Sequence, residues 1–536
     1  MRTLTLILAA TCLAACGPAT DGHDESVLER QLDDLATSGL GIDGLRGPAP
    51  EFEDPEQPTG LELRRLALHT NYNALIDMAA ASGFGTESGP LEPIPGTEVL
   101  AWRHLDGQEY PHGVALQIPA DFDPDRACLL IAPASGSRGI YGAAGVVGDW
   151  GLQKDCAVVY TDKGAGTGFY DADSGQGPGL AGRLTTNPEG FTPDKPASMA
   201  NHRVAVKHAH STDNPEAYWG AHVLDAGRFA LRQLRDRFDG LAEVRVIAAG
   251  ISNGGAAALR AAAKDTDGLL DAVVVGEPNV YPPARSDATV TVGEARYSAA
   301  DTRPLYDYAT LMGLYQPCAV LAPAYEQAPF AMAALAQRPV LEAHCTILQR
   351  VGLMDGVDGA TTPEQADQVL SELALTPSAR RLGAANVVLG VWPAISATYA
   401  QAYSRKPAGE PVCDVSFARV DAEGVARATT EAERAKWFAT SSGIVPTAGL
   451  VLVGADNRAL AEPQRLAQKA LCWRRLEQQA DSTLQTSITA TRAGPPVRDI
   501  PVVIVHGRAD ALIPVNHSSR PYAAATQATG LKNLRY

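Results

Sequence analysis

The chain has 536 residues, of which 45% are hydrophobic and 20% are charged, and its formal net charge is -16. This composition is ordinary for a globular protein with a buried core, and the length allows one large domain with an insertion or two to three ordinary domains. The acidic surface repels phosphate backbones, so we predict no nucleic-acid partner. After the first sixteen residues, no apolar run is long enough to span a bilayer.

The amino terminus has the order of an export signal. A positive start, Met1-Arg2, precedes a mostly apolar stretch over residues 4–15, which ends in small residues directly before Cys16. A secretory signal has this order, and the cysteine after small residues resembles a bacterial lipobox. The resemblance implies cleavage after residue 15 and acylation of Cys16. The alternative is a plain secretory signal with an incidental cysteine.

Residues 16–60 are rich in Asp, Glu, Gly and Pro. We expect them to form an acidic tether between a lipid anchor and the folded domain. The protein is then located in the bacterial periplasm or at the cell surface, and it contacts the membrane only through the lipid at Cys16.

The remaining cysteines also indicate an oxidising compartment. Six remain after Cys16, at positions 128, 156, 318, 345, 413 and 472, and none has the spacing of a metal site. An even number suggests up to three disulfides, for which fifteen pairings are possible. Free buried thiols remain an alternative for Cys128 and Cys156, which lie in strand-like apolar runs.

Strand and helix patterns alternate over residues 61–284. A helical stretch over 61–81 is followed by extended runs near 98–104 and 113–118. Short apolar runs at 128–132, 156–160, 244–249 and 269–275 predict buried strands, and residues 222–238 and 255–264 have helical spacing. Continuously apolar strands separated by helices predict a mostly parallel sheet covered on both faces.

The pattern changes between residues 285 and 445, where helices dominate and capping sequences begin near Thr362 and Thr430. We predict a helical insertion there, acting as a lid. Strand patterns at 449–453 and 501–505 predict that the core resumes over residues 446–536.

The segment Gly-Ile-Ser-Asn-Gly-Gly at 250–255 lies between a strand pattern and a helix pattern. A serine on such a turn has its hydroxyl exposed at the sheet edge beside a helix N-terminus, and the flanking glycines avoid collisions. We predict an α/β-hydrolase fold with Ser252 as nucleophile and the backbone N–H of Asn253 as an oxyanion donor. The alternative is a glycine-rich turn with a surface serine.

A second oxyanion donor is expected from the loop after an earlier strand. Residues 133–139 follow the strand at 128–132, and we name Ser135 and Gly136 as its candidate donors. An ordinary polar turn is the alternative.

In this fold the acid follows the nucleophile in the chain and the histidine follows the acid. Asp510, five residues after the strand that ends at 505, is the predicted acid, where it would orient the base. Asp456, after the strand at 449–453, is the competitor.

No histidine occupies the position expected for the base. His517 lies on the helix expected after the acid loop, and His506 precedes the acid on its own strand end. Residues 533–536 look like the start of the strand that precedes the base. We therefore expect a C-terminal truncation that leaves the base outside these 536 residues and impairs activity.

Two other patterns in the sequence give weaker signals. Gly164–Gly168 contains three glycines but lacks the GxGxxG spacing, and a flexible loop near the site is preferred over a nucleotide site. His208 and His210 form a His-x-His pattern with Asp213 nearby, for which solvated or hydrogen-bonded histidines in a polar loop are preferred over metal binding. We predict no metal and no other cofactor.

Several segments together resemble the D-(-)-3-hydroxybutyrate oligomer hydrolases, which are related to tannase-like esterases. They are SRGIYG at 137–142, GDWGL at 148–152, YTDKGAGTG at 160–168, KHAHS at 207–211, GISNGG at 250–255, HGRAD at 506–510 and NHSSRPY at 516–522. The resemblance spans roughly residues 60–536.

The resemblance implies hydrolysis of ester bonds in short (R)-3-hydroxybutyrate oligomers, with Ser252 and Asp510 at the nucleophile and acid positions. Tannases have a cysteine directly before the nucleophile, where this chain has Ile251. Three rivals stay open. They are another secreted esterase acting on aryl or feruloyl esters, a serine peptidase, and a catalytically impaired lipoprotein that binds the oligomers.

Overall fold

A central sheet organises the part of the chain that the computed structural model describes, residues 27–84, 91–241, 243–292, 295–354, 361–479 and 482–536. In chain order, the strands of this sheet are Val27–Leu32 (β1), Gly96–Arg103 (β2), His112–Pro119 (β3), Cys128–Pro133 (β4), Ala157–Thr161 (β5), Arg245–Ile251 (β6), Ala272–Gly276 (β7), Val502–Val505 (β8) and Leu534–Arg535 (β9). Their spatial order is β1-β2-β3-β5-β4-β6-β7-β8-β9.

The sheet is parallel from β5 through β4 to β9, and antiparallel pairs join β1, β2, β3 and β5 at the other edge. The parallel strands are apolar because both of their faces are covered; Val158 and Val159, for example, are fully buried. In space β5 lies between β3 and β4, and the strands after β4 are added beside it in chain order from β6 to β9. This is the α/β-hydrolase arrangement. The predicted fold class is confirmed.

Helices cover both faces of the sheet. Outside the segment between β7 and β8, the helices are Gly41–Arg46 (α1), Gly60–Leu75 (α2), Asp149–Leu152 (α3), Lys207–His210 (α4), Pro215–Arg237 (α5), Asn253–Ala262 (α6) and, near the end of the chain, Ser519–Gln527 (α18). One apolar layer joins α5, α6 and α18 to the sheet, and another joins α2 and α3 to its opposite face. The site described below lies at the carboxyl ends of the parallel strands.

The prediction of a tether over residues 16–60 is wrong from Val27 onward. Strand β1 pairs with β2 at the edge of the central sheet, and Leu35 and Leu45 are fully buried. Arg30 also forms an ion pair with the buried Glu98. The strand was missed because a short, half-polar edge strand has no hydrophobic run to mark it. Cys16 and the predicted signal peptide lie outside the described residues.

The insertion is longer than predicted, because it occupies residues 277–501, between β7 and β8, instead of 285–445. Its helices are Leu305–Ala319 (α7), Ala331–Leu335 (α8), Arg338–Arg350 (α9), Thr362–Glu372 (α10), Pro377–Leu382 (α11), Ala384–Val388 (α12), Val391–Ser404 (α13), Glu431–Ala435 (α14), Trp437–Thr440 (α15), Pro463–Glu477 (α16) and Thr483–Thr489 (α17). They form most of a second hydrophobic core, in which Trp392, Trp437 and Trp473 are buried and to which Phe169 and Val204 from outside the insertion also belong.

The strand predicted at 449–453 does not belong to the central sheet. The strand Val451–Gly454 pairs antiparallel with Val415–Val420, and Ala426–Arg427 completes a small sheet inside the insertion. A short apolar run predicts a strand but does not specify its partner, so the sequence placed this strand in the wrong sheet. Shorter strand pairs lie at Thr289–Val292 with Ala295–Ser298, Phe169–Asp171 with Val204–Val206, and Gly177–Pro178 with Leu184–Thr185.

Three disulfides link the six cysteines after Cys16. The bonds are Cys128–Cys156, Cys318–Cys345 and Cys413–Cys472. The first joins β4 to the residue before β5, so the alternative of free thiols at these two positions is not realised. The other two lie in the insertion, where they connect segments 27 and 59 residues apart.

Within the described ranges, no single helix has the length and apolar character to cross a bilayer. The segment 377–388 and helix α13 pass that test only together, and they are bent by 80° at the break between them.

Candidate active site

The predicted nucleophile, Ser252, lies on the turn between β6 and α6. Its backbone has φ 57° and ψ -123°, a positive-φ conformation that a serine adopts only under constraint. Two hydrogen bonds hold the turn: the Ser252 N–H donates to Gly276 O at 3.0 Å, and its carbonyl accepts from Asn279 N at 3.0 Å. The turn therefore places the serine at the carboxyl edge of the sheet, beside the first turn of α6.

The glycines around Ser252 are required by close contacts. A Cβ on Gly250 would lie 2.7 Å from the carbonyl carbon of Gly254, and one on Gly254 would lie 2.3 Å from Pro133 O. Real Cβ atoms essentially never approach backbone atoms so closely. The turn thus packs against the end of β4, as the sequence motif predicted.

The predicted acid, Asp510, lies in the loop after β8. Its Oδ1 accepts hydrogen bonds from the N–H groups of Leu512 at 2.8 Å and Ile513 at 2.9 Å. Its Oδ2 lies 3.4 Å from Nε2 of His506. Asp510 and Ser252 line one cavity. The competing candidate, Asp456, is instead exposed in the insertion and forms an ion pair with Arg465.

That cavity has a volume of about 500 Å³. Besides the turn at Ser252 and the loop of Asp510, three parts of the chain form its wall: the end of α2, the loop after β4 and the insertion. Its apolar lining residues are Ala74, Leu75, Ile251, Leu389, Val391, Ala394, Ile395, Ile444, Pro446, Leu512 and Ile513, and its charged ones are Arg138, Glu277 and Asp510. An apolar chamber with few polar groups suits a small, mostly apolar ligand.

None of the histidines in the described ranges lines this cavity. The side chain of His506 is fully buried, with Nδ1 2.7 Å from Ser519 Oγ and Nε2 2.9 Å from Ile513 O. His517 is buried in the insertion contact, where Nε2 lies 2.6 Å from Leu373 O, and burial lowers its pKa to about 4. The structure thus places neither histidine to take a proton from Ser252.

The loop after β4 supplies the candidate oxyanion donors, and here one prediction needs correction. The N–H of Ser135 donates to Gly142 O at 3.2 Å, so it is already occupied within the loop. Gly136 has φ +57°, which suits glycine, and together with Ser137 it also lines the cavity. Gly136 therefore remains a candidate donor, Ser135 does not, and Ser137 joins the set.

Asn253 begins α6, so its backbone N–H belongs to the helix N-terminus, where N–H groups lack intrahelical partners. Its side chain is held from both sides: Nδ2 donates to Tyr399 OH at 3.2 Å, and Oδ1 accepts from Asn279 Nδ2 at 2.8 Å. The residue predicted as the first oxyanion donor is thus fixed in orientation by contacts with the insertion.

A buried lysine supports the loop after β4 from behind. Lys163 follows β5 and is fully buried, and its Nζ donates to Ala134 O at 2.5 Å and Gly136 O at 3.2 Å. Burial lowers its pKa to about 7. No role for Lys163 was predicted from the sequence, although its place just after a parallel strand was a usable signal.

A second buried support starts at Ser137. Its Oγ lies 2.6 Å from Nδ1 of His208, and Nε2 of that ring lies 3.7 Å from Oε1 of Glu216. Tyr403 OH donates to the other carboxyl oxygen of Glu216. Burial lowers the pKa of His208 to about 3 and raises that of Glu216 to about 7, the latter against the opposing charge of Arg260. The imidazole is therefore neutral at pH 7.

The two weaker sequence patterns are both in the interior. The segment 164–168 is a packed turn and not the flexible loop that was predicted: Ala165 is fully buried, and its N–H donates to Asp162 O at 3.1 Å. His210 accepts from Val206 N at 3.0 Å, while His208 faces Ser137. Among the described residues, no three His, Cys, Asp or Glu side chains are grouped to hold a metal ion.

A family model described as "3HB-oligomer hydrolase (3HBOH)" matches residues 21–536. The D-(-)-3-hydroxybutyrate oligomer hydrolase of Paraburkholderia xenovorans is 36% identical over 98% of this chain and 83% of its own length. The protein of that name from Paracidovorax citrulli is 37% identical, with the same coverage.

Solved structures are similar only at a distance. Feruloyl esterase B from Aspergillus oryzae aligns with 82% of this chain and 71% of its own, at 12% identity and a TM-score of 0.33. The esterase LipA from Xanthomonas oryzae aligns with 84% and 85%, at the same identity and TM-score. These likenesses are too remote to support an argument.

Proposed function

The chain belongs to the 3HB-oligomer hydrolase family, and from this premise we propose that it is a serine esterase that cleaves oligomers of D-(-)-3-hydroxybutyrate, the (R) enantiomer, to the monomer. One observation carries the proposal: Ser252, on a constrained strand-to-helix turn, and Asp510 line the same apolar cavity. The methyl groups and ester links of such oligomers suit a chamber of this composition.

Hydrolysis proceeds by acyl transfer. The Oγ of Ser252 attacks the ester carbonyl carbon while its proton passes to a general base. The N–H groups of Asn253 and of Gly136 or Ser137 stabilise the negative charge on the carbonyl oxygen. The intermediate then expels the alkoxide of a hydroxy acid, which takes the proton from the base. Water attacks the acyl-serine in the second step, releasing the other product and restoring the hydroxyl.

Asp510 is the group that orients the base and stabilises its protonated form. The base of this reaction is usually a histidine, and no described histidine lines the cavity. Free imidazole from solution is small enough to enter a cavity of about 500 Å³ and to accept the proton of Ser252. An assay with and without imidazole therefore shows whether the chain lacks only a positioned base or lacks esterase activity altogether.

The experiment measures (R)-3-hydroxybutyrate release from its linear trimer, with and without imidazole, for the chain and for Ser252→Ala. We expect release by the chain, faster with imidazole, and none above background by the variant. Labelling of Ser252 by an active-site phosphonate gives a second readout that is independent of the substrate.

The rivals give different results. Turnover of aryl or feruloyl esters with an untouched trimer would favour another esterase, and cleavage of peptide bonds would favour a peptidase. Trimer binding without turnover, in imidazole as well, would favour an oligomer-binding protein. Release of monomer that persists in Ser252→Ala would show that Ser252 is not the nucleophile.

We also propose that the protein is exported and acylated at Cys16. The support is the signal-like order of residues 1–16 and the three disulfides, which are typical of oxidising compartments. Incorporation of labelled palmitate in a bacterial host, lost in Cys16→Ser, is the expected result. An exported but unlabelled protein would support the plain secretory signal.

A further inference from the structure

Arg138 is the single cationic residue among the described side chains that line the cavity with Ser252. Glu277 and Asp510, the two acidic lining residues, are already engaged: Glu277 accepts from Gly507 N at 3.3 Å, and Asp510 accepts from two backbone N–H groups. Burial lowers the pKa of Arg138, and no described carboxylate opposes that effect. Arg138 is only partly exposed, and a partly buried guanidinium without a counter-ion is unusual, because burial of a charge is costly unless it is paired.

The loop is built to accommodate this side chain. A Cβ on Gly136 would lie 2.9 Å from Nη1 of Arg138, and one on Gly142 would lie 2.7 Å from its Cβ. Any other residue at these two positions would displace the arginine. The guanidinium therefore lies across Gly136, one of the two candidate oxyanion donors in this loop, at the wall of the cavity.

The substrate of the proposed function has one feature that such a cation fits. A linear hydroxybutyrate oligomer is apolar along its length, ends in a hydroxyl at one side and carries a single carboxylate at the other. A guanidinium matches a carboxylate with two parallel hydrogen bonds. A local cation is also needed for an anionic ligand, because the protein's formal net charge is -16.

We propose that Arg138 binds the terminal carboxylate of the oligomer and so selects the ester bond at the acid end. This inference rests on the proposed function, whose substrate class it makes more specific. The terminal hydroxybutyrate unit is then the leaving group: it departs as a free hydroxy acid, while the rest of the chain is held as the acyl-serine. Successive cycles release monomers from the acid end.

The first test is a binding measurement that does not need turnover. Calorimetry in the Ser252→Ala background compares the trimer acid with its methyl ester, with and without Arg138→Gln. We expect the acid to bind at least tenfold more tightly than the ester, and Arg138→Gln to remove that difference. Added salt should weaken binding of the acid more than binding of the ester.

Arg508→Gln is the matched control, since Arg508 is an exposed cation in the loop of Asp510 and does not line the cavity. It should leave the ratio of the two affinities unchanged. Arg138→Lys keeps the positive charge but cannot form the two parallel hydrogen bonds of a guanidinium. It should preserve part of the preference for the acid over the methyl ester. Equal affinity for acid and ester, or an equal loss for both in Arg138→Gln, would overturn the role of Arg138.

Turnover distinguishes this inference from the function on which it rests. A trimer acetylated at its hydroxyl end should be cleaved and should release free monomer first, while the methyl ester should be a poor substrate. Equal cleavage of both would leave the esterase standing and refute the selection by Arg138. Cleavage of neither, with the affinity difference intact, would refute the esterase and retain the carboxylate site.

Discussion

Replacing Glu216 by glutamine should change how the stability of the protein depends on pH. Glu216 lies in the first turn of α5 and is 2% exposed, and burial raises its pKa to about 7. The carboxyl of an unfolded chain titrates near 4.5. Between these two values the native state holds a proton that the unfolded state has lost. The stabilising contribution of protonated Glu216 is thus full below pH 4.5 and is lost as the pH rises through 7.

The size of the effect follows from the shift. A difference of one pKa unit corresponds to about 1.4 kcal/mol, so the move from 4.5 to about 7 corresponds to about 3 kcal/mol for a fully buried group. Glutamine has nearly the same volume, can still accept from Tyr403 OH, and does not titrate. The unfolding free energy of the chain minus that of Glu216→Gln should therefore fall by about 3 kcal/mol between pH 4.5 and 7.

Urea unfolding at half-unit steps from pH 4.5 to 8.5 measures this difference, and groups that titrate identically in both proteins cancel. Glu410→Gln is the control. The hydrogen bond from Lys406 lowers the pKa of the exposed Glu410, so its contribution changes below pH 4.5 and not in the window tested. A flat difference for Glu216→Gln, or one that rises with pH, would refute the conclusion that burial keeps this carboxyl protonated.

Three further outcomes are expected. Under conditions where the trimer is turned over, Asp510→Asn should lower kcat by about 10³-fold or more, since the charge that stabilises the protonated base is lost. Asp456→Asn should leave kcat unchanged. The opposite pattern would identify Asp456 as the acid. Ser137→Ala should lower kcat about tenfold with little change in KM, because it removes the hydrogen bond to His208 that fixes the loop after β4 and its candidate oxyanion donors. A purely KM effect would contradict that role. Replacing Cys413 and Cys472, whose bond spans 59 residues, by serine should lower the unfolding free energy by about 4 kcal/mol in urea titrations, and a loss under about 1 kcal/mol would show that the cross-link does not restrict the unfolded chain.

The local patterns in the sequence identified the elements that matter most for the site. The strand, Ser252 and the helix after it were predicted in the right order, because the turn needs glycines at fixed positions and an apolar strand before it. Asp510 was placed after a late strand by the same reasoning. These signals are local, so neighbouring residues contain all the information they require.

Other features depended on contacts between distant segments. The run at 449–453 is a strand as predicted, but its partner is Val415–Val420 in the insertion, and strand β1 completes the central sheet from a region expected to be a tether. Strand pairing is decided by which surfaces meet in the folded chain. Neither partner was encoded in the local pattern.

The sequence by itself determined the fold class, the strand-to-helix turn at Ser252 and the place of Asp510 in a loop after a late strand, since each needs particular residue types at fixed local spacing. Only the tertiary structure decided that the N–H of Ser135 is used within its own loop, that Lys163 supports that loop, and that Arg138 faces the cavity without a carboxylate partner among the described residues. Hydrogen bonding, burial and charge pairing are properties of the packed chain, because they depend on which groups remain near one another after water is excluded.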